Sequence, residues 1–180
     1  MKPRRIFILG GSRSGKSTFA QKLAHEFGKD VLFVATAEAG DEEMARRIAT
    51  HRKNRPKGWR TLEATTKIGK QIEENAGDAE VIIVDCLTLL VSNLLMPLGQ
   101  NADSQTASRV VRAELNGLLK CLDRVDATFI IVSNEVGLGL VPPYPLGRLY
   151  RDLLGEVNQA MARQADEVYF MTAGIPMRAK

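Results

Sequence analysis

A glycine-rich turn that carries a lysine lies directly behind the first apolar run of the chain. The run RIFIL (5–9) predicts a β-strand, and the pattern over 16–27 predicts a helix. The turn between them fits G-x-x-x-x-G-K-[ST] at every position: Gly10, Gly11, Ser12, Arg13, Ser14, Gly15, Lys16 and Ser17. Glycines let the backbone N–H groups point inward, and the helix adds the positive end of its dipole. The turn therefore predicts a phosphate loop, in which Lys16 reaches the β and γ phosphates and Ser17 coordinates Mg²⁺.

Apolar runs of strand length recur along the chain and alternate with helical patterns. The later strand-like runs are 31–36, 80–85, 128–133 and 167–172, with 59–63 as a shorter candidate. The helical patterns cover 16–27, 41–53, 66–75, 86–96, 104–124 and 146–164. Asp103 or Ser104 would cap the fifth helix. Because most strands are continuously apolar and β-branched, they are expected to be covered on both faces of a mostly parallel sheet. The sequence thus predicts one α/β domain over 1–180, with ligands beyond the carboxyl ends of the strands.

The composition indicates a globular protein and argues against a membrane protein. A chain of 180 residues that is 44% hydrophobic and 26% charged is typical of a globular domain. No apolar run reaches the roughly 18 residues of a membrane helix, and the first run is too short for a signal peptide. Cys86 and Cys121 fit neither a metal site nor a disulfide framework. This cysteine usage favours a reducing cytoplasm, and we expect no membrane span.

Much of the net charge of +4 gathers in one segment of the chain. The cations of this segment are Arg46, Arg47, Arg52, Lys53, Arg55, Lys57 and Arg60. Such a cluster could attract nucleic acid or the triphosphate of a nucleotide, or it could form a solvated helix face. A nucleic-acid-binding ATPase would be expected to have a larger chain or an appended module, so we expect no nucleic-acid partner.

Polar side chains follow two of the predicted strands. Asp85 ends the run VIIVD, where it could hold Mg²⁺ directly or through water, or cap the next helix. Asn134 and Glu135 follow the strand at 128–133. Glu135 could activate a hydroxyl or bind a metal ion, or the pair could form a polar turn. All three side chains are predicted to share the edge of the sheet that carries the phosphate loop.

A histidine lies among the cations of the second helical pattern. A lone helical histidine is usually structural or solvated, but His51 has Arg47, Arg52 and Arg55 as neighbours in the sequence. Neighbouring cations disfavour imidazolium, so the ring would tend to be neutral and nucleophilic near pH 7. The same cations could stabilise charge on a phosphate under attack, which suits a covalent phosphoramidate. A plain P-loop kinase with a structural histidine is the alternative.

The chain resembles the bifunctional adenosylcobinamide kinase / adenosylcobinamide-phosphate guanylyltransferase family of cobalamin synthesis, from Ile6 to near the C-terminus. The segments that carry the resemblance are GGSRSGKS, VATAEAGDEEMARRIATHR, RP followed by W, VDCLTLLVSNLL, NEVGLGLVP, and RDLLGEVNQAMA followed by ADEVYFMTAGIP. The phosphate loop alone is shared by very many proteins. The combination of DEEM…RI…HR, NEVG and GxxNQ is much more specific.

The resemblance implies a RecA-like P-loop fold, a homotrimer and two reactions. In the first, the γ-phosphate of ATP or GTP passes to the aminopropanol hydroxyl of adenosylcobinamide. In the second, GTP donates GMP through a histidine–GMP intermediate to the cobinamide phosphate, which yields adenosylcobinamide-GDP and pyrophosphate. The histidine of the family's HR step matches His51, and position 50 is Thr where some relatives carry a second histidine.

The resemblance also implies which residues contact the nucleotide. They are the phosphate loop 10–17, then Ala35, Thr36 and Ala37, then His51, Arg52, Lys53 and Asn54, and finally Glu63 and Asp85. Of these, His51 and Lys16 are the expected catalytic residues, and Ser17 and Asp85 the expected Mg²⁺ ligands. A carboxylate such as Glu63 can accept the N1 and N2 hydrogens of guanine, which adenine does not offer in that arrangement.

Overall fold

The computed structural model describes residues 2–40, 42–53, 55–100 and 102–180, except for the side chains of Met44, Arg47 and His51. The strands are β1 (Arg5–Gly10), β2 (Val31–Ala35), β3 (Arg60–Glu63), β4 (Val81–Asp85), β5 (Thr128–Val132), β6 (Glu167–Thr172) and β7 (Ile175–Arg178). The helices are α1 (Lys16–Phe27), α2 (Glu42–Lys53), α3 (Ile68–Asn75), α4 (Leu87–Leu95), α5 (Ser104–Arg124) and α6 (Pro145–Gln164). A 3₁₀ turn, Met96–Leu98, follows α4.

The strands form one sheet in the order β3-β2-β4-β5-β1-β6-β7. All neighbouring pairs are parallel except β6 and β7. Strand β1 therefore lies inside the sheet, and β5 separates it from β4. The carboxyl ends of β1 to β5 meet at one edge, which we call the carboxyl edge, and this edge is where a ligand of an open α/β sheet binds.

Helices cover both faces of the sheet. Buried side chains of α3, α4, α5 and α6 pack with one set of strand residues, which includes Phe7 and Phe129. Buried side chains of α1 pack with the alternate set, which includes Ile6, Ile8 and Phe33. Each strand in the middle of the sheet is thus buried on both faces, which explains its continuous apolar run. The expectation of a mostly parallel sheet flanked by helices is confirmed.

The bounds of the elements follow the sequence patterns closely. Helices α1 and α5 have the predicted ranges, and β3 confirms the short candidate at 59–63. Asp103 is the N-cap of α5, because its carboxylate accepts a hydrogen bond from the Thr106 N–H at 2.8 Å. The sequence analysis missed β7, a four-residue strand that is exposed along its length and pairs with β6. In the described ranges no helix is long and apolar enough to cross a membrane.

Candidate active site

The phosphate loop follows β1 and packs against the turn that joins β6 to β7. Gly10 and Gly15 have φ values of 150° and 94°, which side chains rarely adopt. A Cβ at Gly10 would lie 2.6 Å from the Met171 carbonyl oxygen, and one at Gly15 would lie 3.1 Å from the Gly174 Cα. The Gly174 N–H also donates to the Ser14 carbonyl oxygen at 3.0 Å. Both glycines are therefore required by the backbone geometry and by close contact, as the motif predicts.

Lys16 begins α1 and turns its amine back into the loop. Its Nζ donates to the Gly11 carbonyl oxygen at 2.6 Å and lies 3.4 Å from the Ser14 Oγ. The residue is buried, and burial lowers the pKa of the amine, while the neighbouring Cys86 and Asp85 act in the opposite direction. The amine is thus held within the loop that would bind the phosphates, at the position the motif predicts.

Ser17 and Asp85 meet across the carboxyl edge. The Ser17 Oγ donates to the Asp85 Oδ2 at 2.9 Å, although β5 separates β4 from β1 in the sheet. A hydroxyl and a carboxylate are oxygen ligands of the kind that Mg²⁺ prefers. The other reading of Asp85, as a helix cap, is wrong, because α4 begins at Leu87 and its N-cap residue is Cys86.

The residues at the end of β2 contribute mainly to the structure of this edge. The Thr36 hydroxyl donates to the Cys86 carbonyl oxygen at 2.7 Å and accepts from the Cys86 N–H at 2.8 Å. Asn93 Nδ2 donates to the Thr36 carbonyl oxygen. Because Thr36 is fully buried and Ala35 is also buried, only Ala37 of this trio is partly exposed. A nucleotide contact by these three residues stays a prediction.

The segment after β5 runs beside the phosphate loop. The Glu135 N–H donates to the Gly10 carbonyl oxygen at 3.1 Å, and the Glu135 Oε1 accepts from the Gly137 N–H at 2.6 Å. The second contact is the polar turn that was one of the readings of Glu135. The carboxylate still lies at the carboxyl edge and keeps further lone pairs for a substrate hydroxyl.

A buried asparagine of α6 holds this segment in place. Asn158 accepts from the Ser133 hydroxyl at 2.7 Å and donates from Nδ2 to the Asn134 carbonyl oxygen at 3.1 Å. Sequence reasoning assigned Asn158 no role beyond its place in the GxxNQ segment. Polarity in an otherwise apolar stripe of α6 is the signal that would have pointed to a buried hydrogen-bonding position.

Two arginines near the end of α2 contact the sheet. Arg52 forms an ion pair with Glu63, and the Arg55 guanidinium lies over the Phe33 ring at 4.1 Å from its centroid. Glu63 and Asp85 are the register partners of Ala35 on its two sides, so both carboxylates lie at the carboxyl edge. Burial lowers the pKa of Arg55, and Asp85 acts in the opposite direction. The predicted contacts Arg52 and Glu63 are therefore brought together.

The structure describes only some of the residues on which the prediction for His51 depends. The backbone of His51 belongs to α2, but its side chain lies outside the described residues, as does the whole of Asn54. Lys53, the last residue of α2, is exposed. None of the side chains that the structure describes in α2 is buried. The approach of the imidazole to a bound phosphate therefore stays a prediction.

A family model described as "Cobinamide kinase / cobinamide phosphate guanyltransferase" matches residues 6–179. The chain belongs to this family. The "Bifunctional adenosylcobalamin biosynthesis protein CobP" of Pseudomonas aeruginosa is 45% identical over 98% of this chain and 97% of its own length. Proteins named "Bifunctional adenosylcobalamin biosynthesis protein CobU" are 38% identical in Escherichia coli K12 and 37% identical in Salmonella typhimurium, over 97% of this chain and 99% of each relative. The resemblance found in the sequence is thereby confirmed.

Solved structures of P-loop NTPases share the fold of this cobinamide kinase / guanyltransferase family member. The RadB recombinase superposes with a TM-score of 0.50 at 14% identity, over 94% of this chain and 74% of its own. The ATPase EscN of an enteropathogenic E. coli secretion system superposes with a TM-score of 0.53 at 15% identity, over 95% of this chain and 43% of its own. At such low identity the likeness concerns the fold alone, and it confirms the RecA-like expectation.

Proposed function

We propose that this chain catalyses both reactions of its family at the single phosphate loop of residues 10–17. It would phosphorylate adenosylcobinamide with ATP or GTP, and then transfer GMP from GTP to the product through His51. The observation that carries the proposal is the convergence of Lys16, Ser17 and Asp85 at the carboxyl edge. A buried amine inside a glycine loop, next to a hydroxyl and a carboxylate, is the arrangement that binds and activates a nucleotide triphosphate.

In the kinase reaction, the acceptor hydroxyl attacks the γ-phosphorus. A new P–O bond forms as the bond from this phosphorus to the β,γ-bridging oxygen breaks, and ADP or GDP leaves. Lys16 and the loop N–H groups stabilise the charge that develops on the phosphate oxygens. Glu135, beside Gly10, is the candidate to accept the hydroxyl proton.

Ser17 and Asp85 are the residues that would hold Mg²⁺. Their oxygens already lie within 2.9 Å of each other, and both are hard ligands that fit the ion. When bound, Mg²⁺ supplies charge neutralisation on the β and γ phosphates.

In the guanylyl transfer, the His51 imidazole attacks the α-phosphorus of GTP. A P–N bond forms as the bond to the pyrophosphate leaving group breaks, which gives His51–GMP. A phosphate oxygen of adenosylcobinamide phosphate then attacks the same phosphorus and breaks the P–N bond. The cations that follow His51 support this role, because Arg52 is paired with Glu63 at the carboxyl edge and Arg55 lies over the Phe33 ring of β2. Glu63 would select guanine.

The segment that follows Glu135 supports a bulky acceptor. The segment that follows Glu135 exposes four large apolar side chains, namely Leu138, Leu140, Val141 and Tyr144. Leu140 is 97% exposed, although side chains of this type are commonly buried. An exposed apolar surface on a segment that begins beside the phosphate loop at Glu135 suits a large corrinoid better than a small hydrophilic acceptor.

Labelling with GTP that carries ³²P at the α position tests the covalent step. After incubation with Mg²⁺ and denaturation, the protein should retain label that is acid-labile and alkali-stable. His51→Ala should lose the label and keep γ-phosphate transfer. The matched control is His25→Ala, since the chain has two histidines and His25 packs against the Trp59 ring. Label that persists in His51→Ala would contradict the mechanism, and γ transfer without any label in the wild type would favour a plain kinase.

Replacement of the loop lysine tests whether one nucleotide site serves both reactions. Lys16→Ala should weaken γ transfer and guanylyl transfer together, because in both reactions Lys16 would bind the polyphosphate of the nucleotide. Full guanylyl transfer in this variant would show that the two reactions use separate nucleotide sites.

We also propose that the protein works as a homotrimer in the cytoplasm and does not bind nucleic acid. Both cysteines are free thiols, which is usual for proteins of a reducing compartment. Light scattering after size-exclusion chromatography should give three times the chain mass of 19.8 kDa. Filter binding with DNA and RNA should give no salt-dependent retention.

A further inference from the structure

The guanidinium of Arg55 packs against an aromatic ring, and its Nε–H group makes no hydrogen bond. The Arg55 Cζ lies 4.1 Å from the centroid of the Phe33 ring, which is cation–π distance. The Arg55 Nε is buried and has no hydrogen-bond partner. A buried N–H without a partner is rare and costs free energy, so a ligand that accepts from it would remove that cost.

The guanidinium lies on the face of the sheet that is covered by the helix of the phosphate loop. Phe33 belongs to the same buried cluster as the side chains of α1, so Arg55 lies on the face of the sheet that α1 covers. Helix α1 begins with Lys16 and Ser17. Arg55 also interacts electrostatically with Asp85, the hydrogen-bond partner of Ser17. A positive group with an unused donor therefore lies on the same face of the sheet as the helix that carries Lys16 and Ser17, and it interacts electrostatically with the proposed Mg²⁺ ligand Asp85.

The other described arginines between positions 46 and 60 either bond to other groups of the protein or are exposed to solvent. Arg52 is paired with Glu63, and Arg60 donates to the carbonyl oxygens of Asn75 and Ala76 at the end of α3. Arg46 has an exposed side chain on α2. Among these arginines, only Arg55 is both fixed against the sheet and left with an unused donor.

We propose that Arg55 is a phosphate-binding residue, whose guanidinium lies over the Phe33 ring and donates to a phosphate oxygen of the nucleotide in the phosphate loop. The inference rests on the proposed function in requiring that GTP binds there. It adds a second fixed cation to Lys16, supplied by the segment that follows His51. Because the ring orients it beforehand, the guanidinium loses little side-chain entropy on binding.

Affinity for ligands with and without phosphates tests this role. GTP, GMP and guanosine would be titrated into the purified full chain by calorimetry. Arg55→Met should weaken GTP binding roughly 10- to 100-fold, since a hydrogen bond to a charged group is lost, and should leave guanosine binding within about twofold. Arg46→Met removes the same charge from the same segment and should leave GTP binding within about twofold. Arg55→Lys should recover only part of the affinity, because an ammonium lacks the planar fork.

Phe33→Leu tests whether the ring acts through the arginine. It should weaken GTP binding by about two- to fivefold when Arg55 is present, and have no further effect in the Arg55→Met background. Unchanged GTP affinity in Arg55→Met would overturn the inference. Equal losses for GTP and guanosine would also overturn it, because Arg55 would then only anchor its segment. Absence of GTP binding to the wild type would refute the proposed function itself, and the inference with it.

Discussion

The hydrogen bond between Ser133 and Asn158 should contribute measurably to stability, and the structure fixes its expected size. Ser133 is 0% exposed and Asn158 is 5% exposed, so water cannot replace a lost partner. Asn158→Ala would leave the Ser133 hydroxyl and the Asn134 carbonyl without their partner. The half-buried Asn134 carbonyl can be rehydrated, whereas the hydroxyl cannot. We therefore expect a loss of about 2–3 kcal/mol in the free energy of unfolding, most of it from the orphaned hydroxyl.

A double-mutant cycle isolates this hydrogen bond. Ser133→Ala should cost about 1–2 kcal/mol, because it orphans only the Asn158 Oδ1. The double variant should cost less than the sum of the single variants by about 1 kcal/mol or more, since neither polar group is then left unpaired. Urea unfolding followed by circular dichroism, at one fixed protein concentration, gives the free energies. Additivity within about 0.3 kcal/mol would refute the reasoning.

The same variants separate stability from nucleotide binding. Only Asn158→Ala releases the Asn134 carbonyl, and the next residue, Glu135, bonds to the Gly10 carbonyl oxygen of the phosphate loop. Asn158→Ala should therefore weaken GTP binding, while Ser133→Ala should leave it nearly unchanged. Equal GTP affinities in the two variants would show that Asn158 acts on stability alone.

Two further predictions concern helix packing and pH. Gly69→Ala should lower the free energy of unfolding by about 1–3 kcal/mol, because its Cβ would lie 2.4 Å from the Gly117 carbonyl oxygen and force α3 away from α5. In Gly117→Ala the new Cβ would meet nothing within 4 Å, so this substitution should instead raise the free energy of unfolding by up to about 1 kcal/mol, because alanine has the higher helix propensity. Chemical denaturation of both variants would measure these two changes of opposite sign. A hydrogen bond from Tyr169, with help from Arg4, lowers the pKa of Glu167. The stability that Glu167 contributes is then present above its unfolded pKa of about 4.3 and is lost as pH falls through the lower folded value, so the denaturation midpoints of wild type and Glu167→Gln should converge as the pH is lowered below that range.

The phosphate loop and its acidic partner could be predicted from the sequence because their chemistry is local. The spacing from Gly10 to Ser17 requires a tight turn between a strand and a helix, and the structure has that turn. Asp85 ends an apolar strand, so the parallel sheet places it at the same edge whatever the strand order. Helix α5 could also be bounded, because Asp103 caps it through a contact only three residues away.

Contacts between distant parts of the chain could not be predicted. The first turn of α3 is capped by Glu114 of α5, whose carboxylate accepts from the Lys67 and Ile68 N–H groups at 2.7 Å. Lys67 itself offers no capping side chain, so the local sequence marks this helix start poorly. The role of Thr36 was obscured for the same reason, since its hydroxyl is bound to Cys86, 50 residues away. Strand β7 depends on pairing with β6 rather than on any apolar pattern of its own.

The two halves of the proposed chemistry rest on elements of very different packing. The phosphate loop is fixed on three sides: by β1, by the β6–β7 turn through Gly174, and by the segment after β5 through Glu135. Helix α2 contributes no buried side chain among those described, and its C-terminal neighbour Arg55 is attached to the sheet by an aromatic contact. A triphosphate held still at its β and γ phosphates suits transfer to an outside hydroxyl. In the proposed mechanism, attack at the α-phosphorus needs a nucleophile from the protein, and we expect the weakly packed helix α2 to bring His51 to that phosphorus without disturbing the loop.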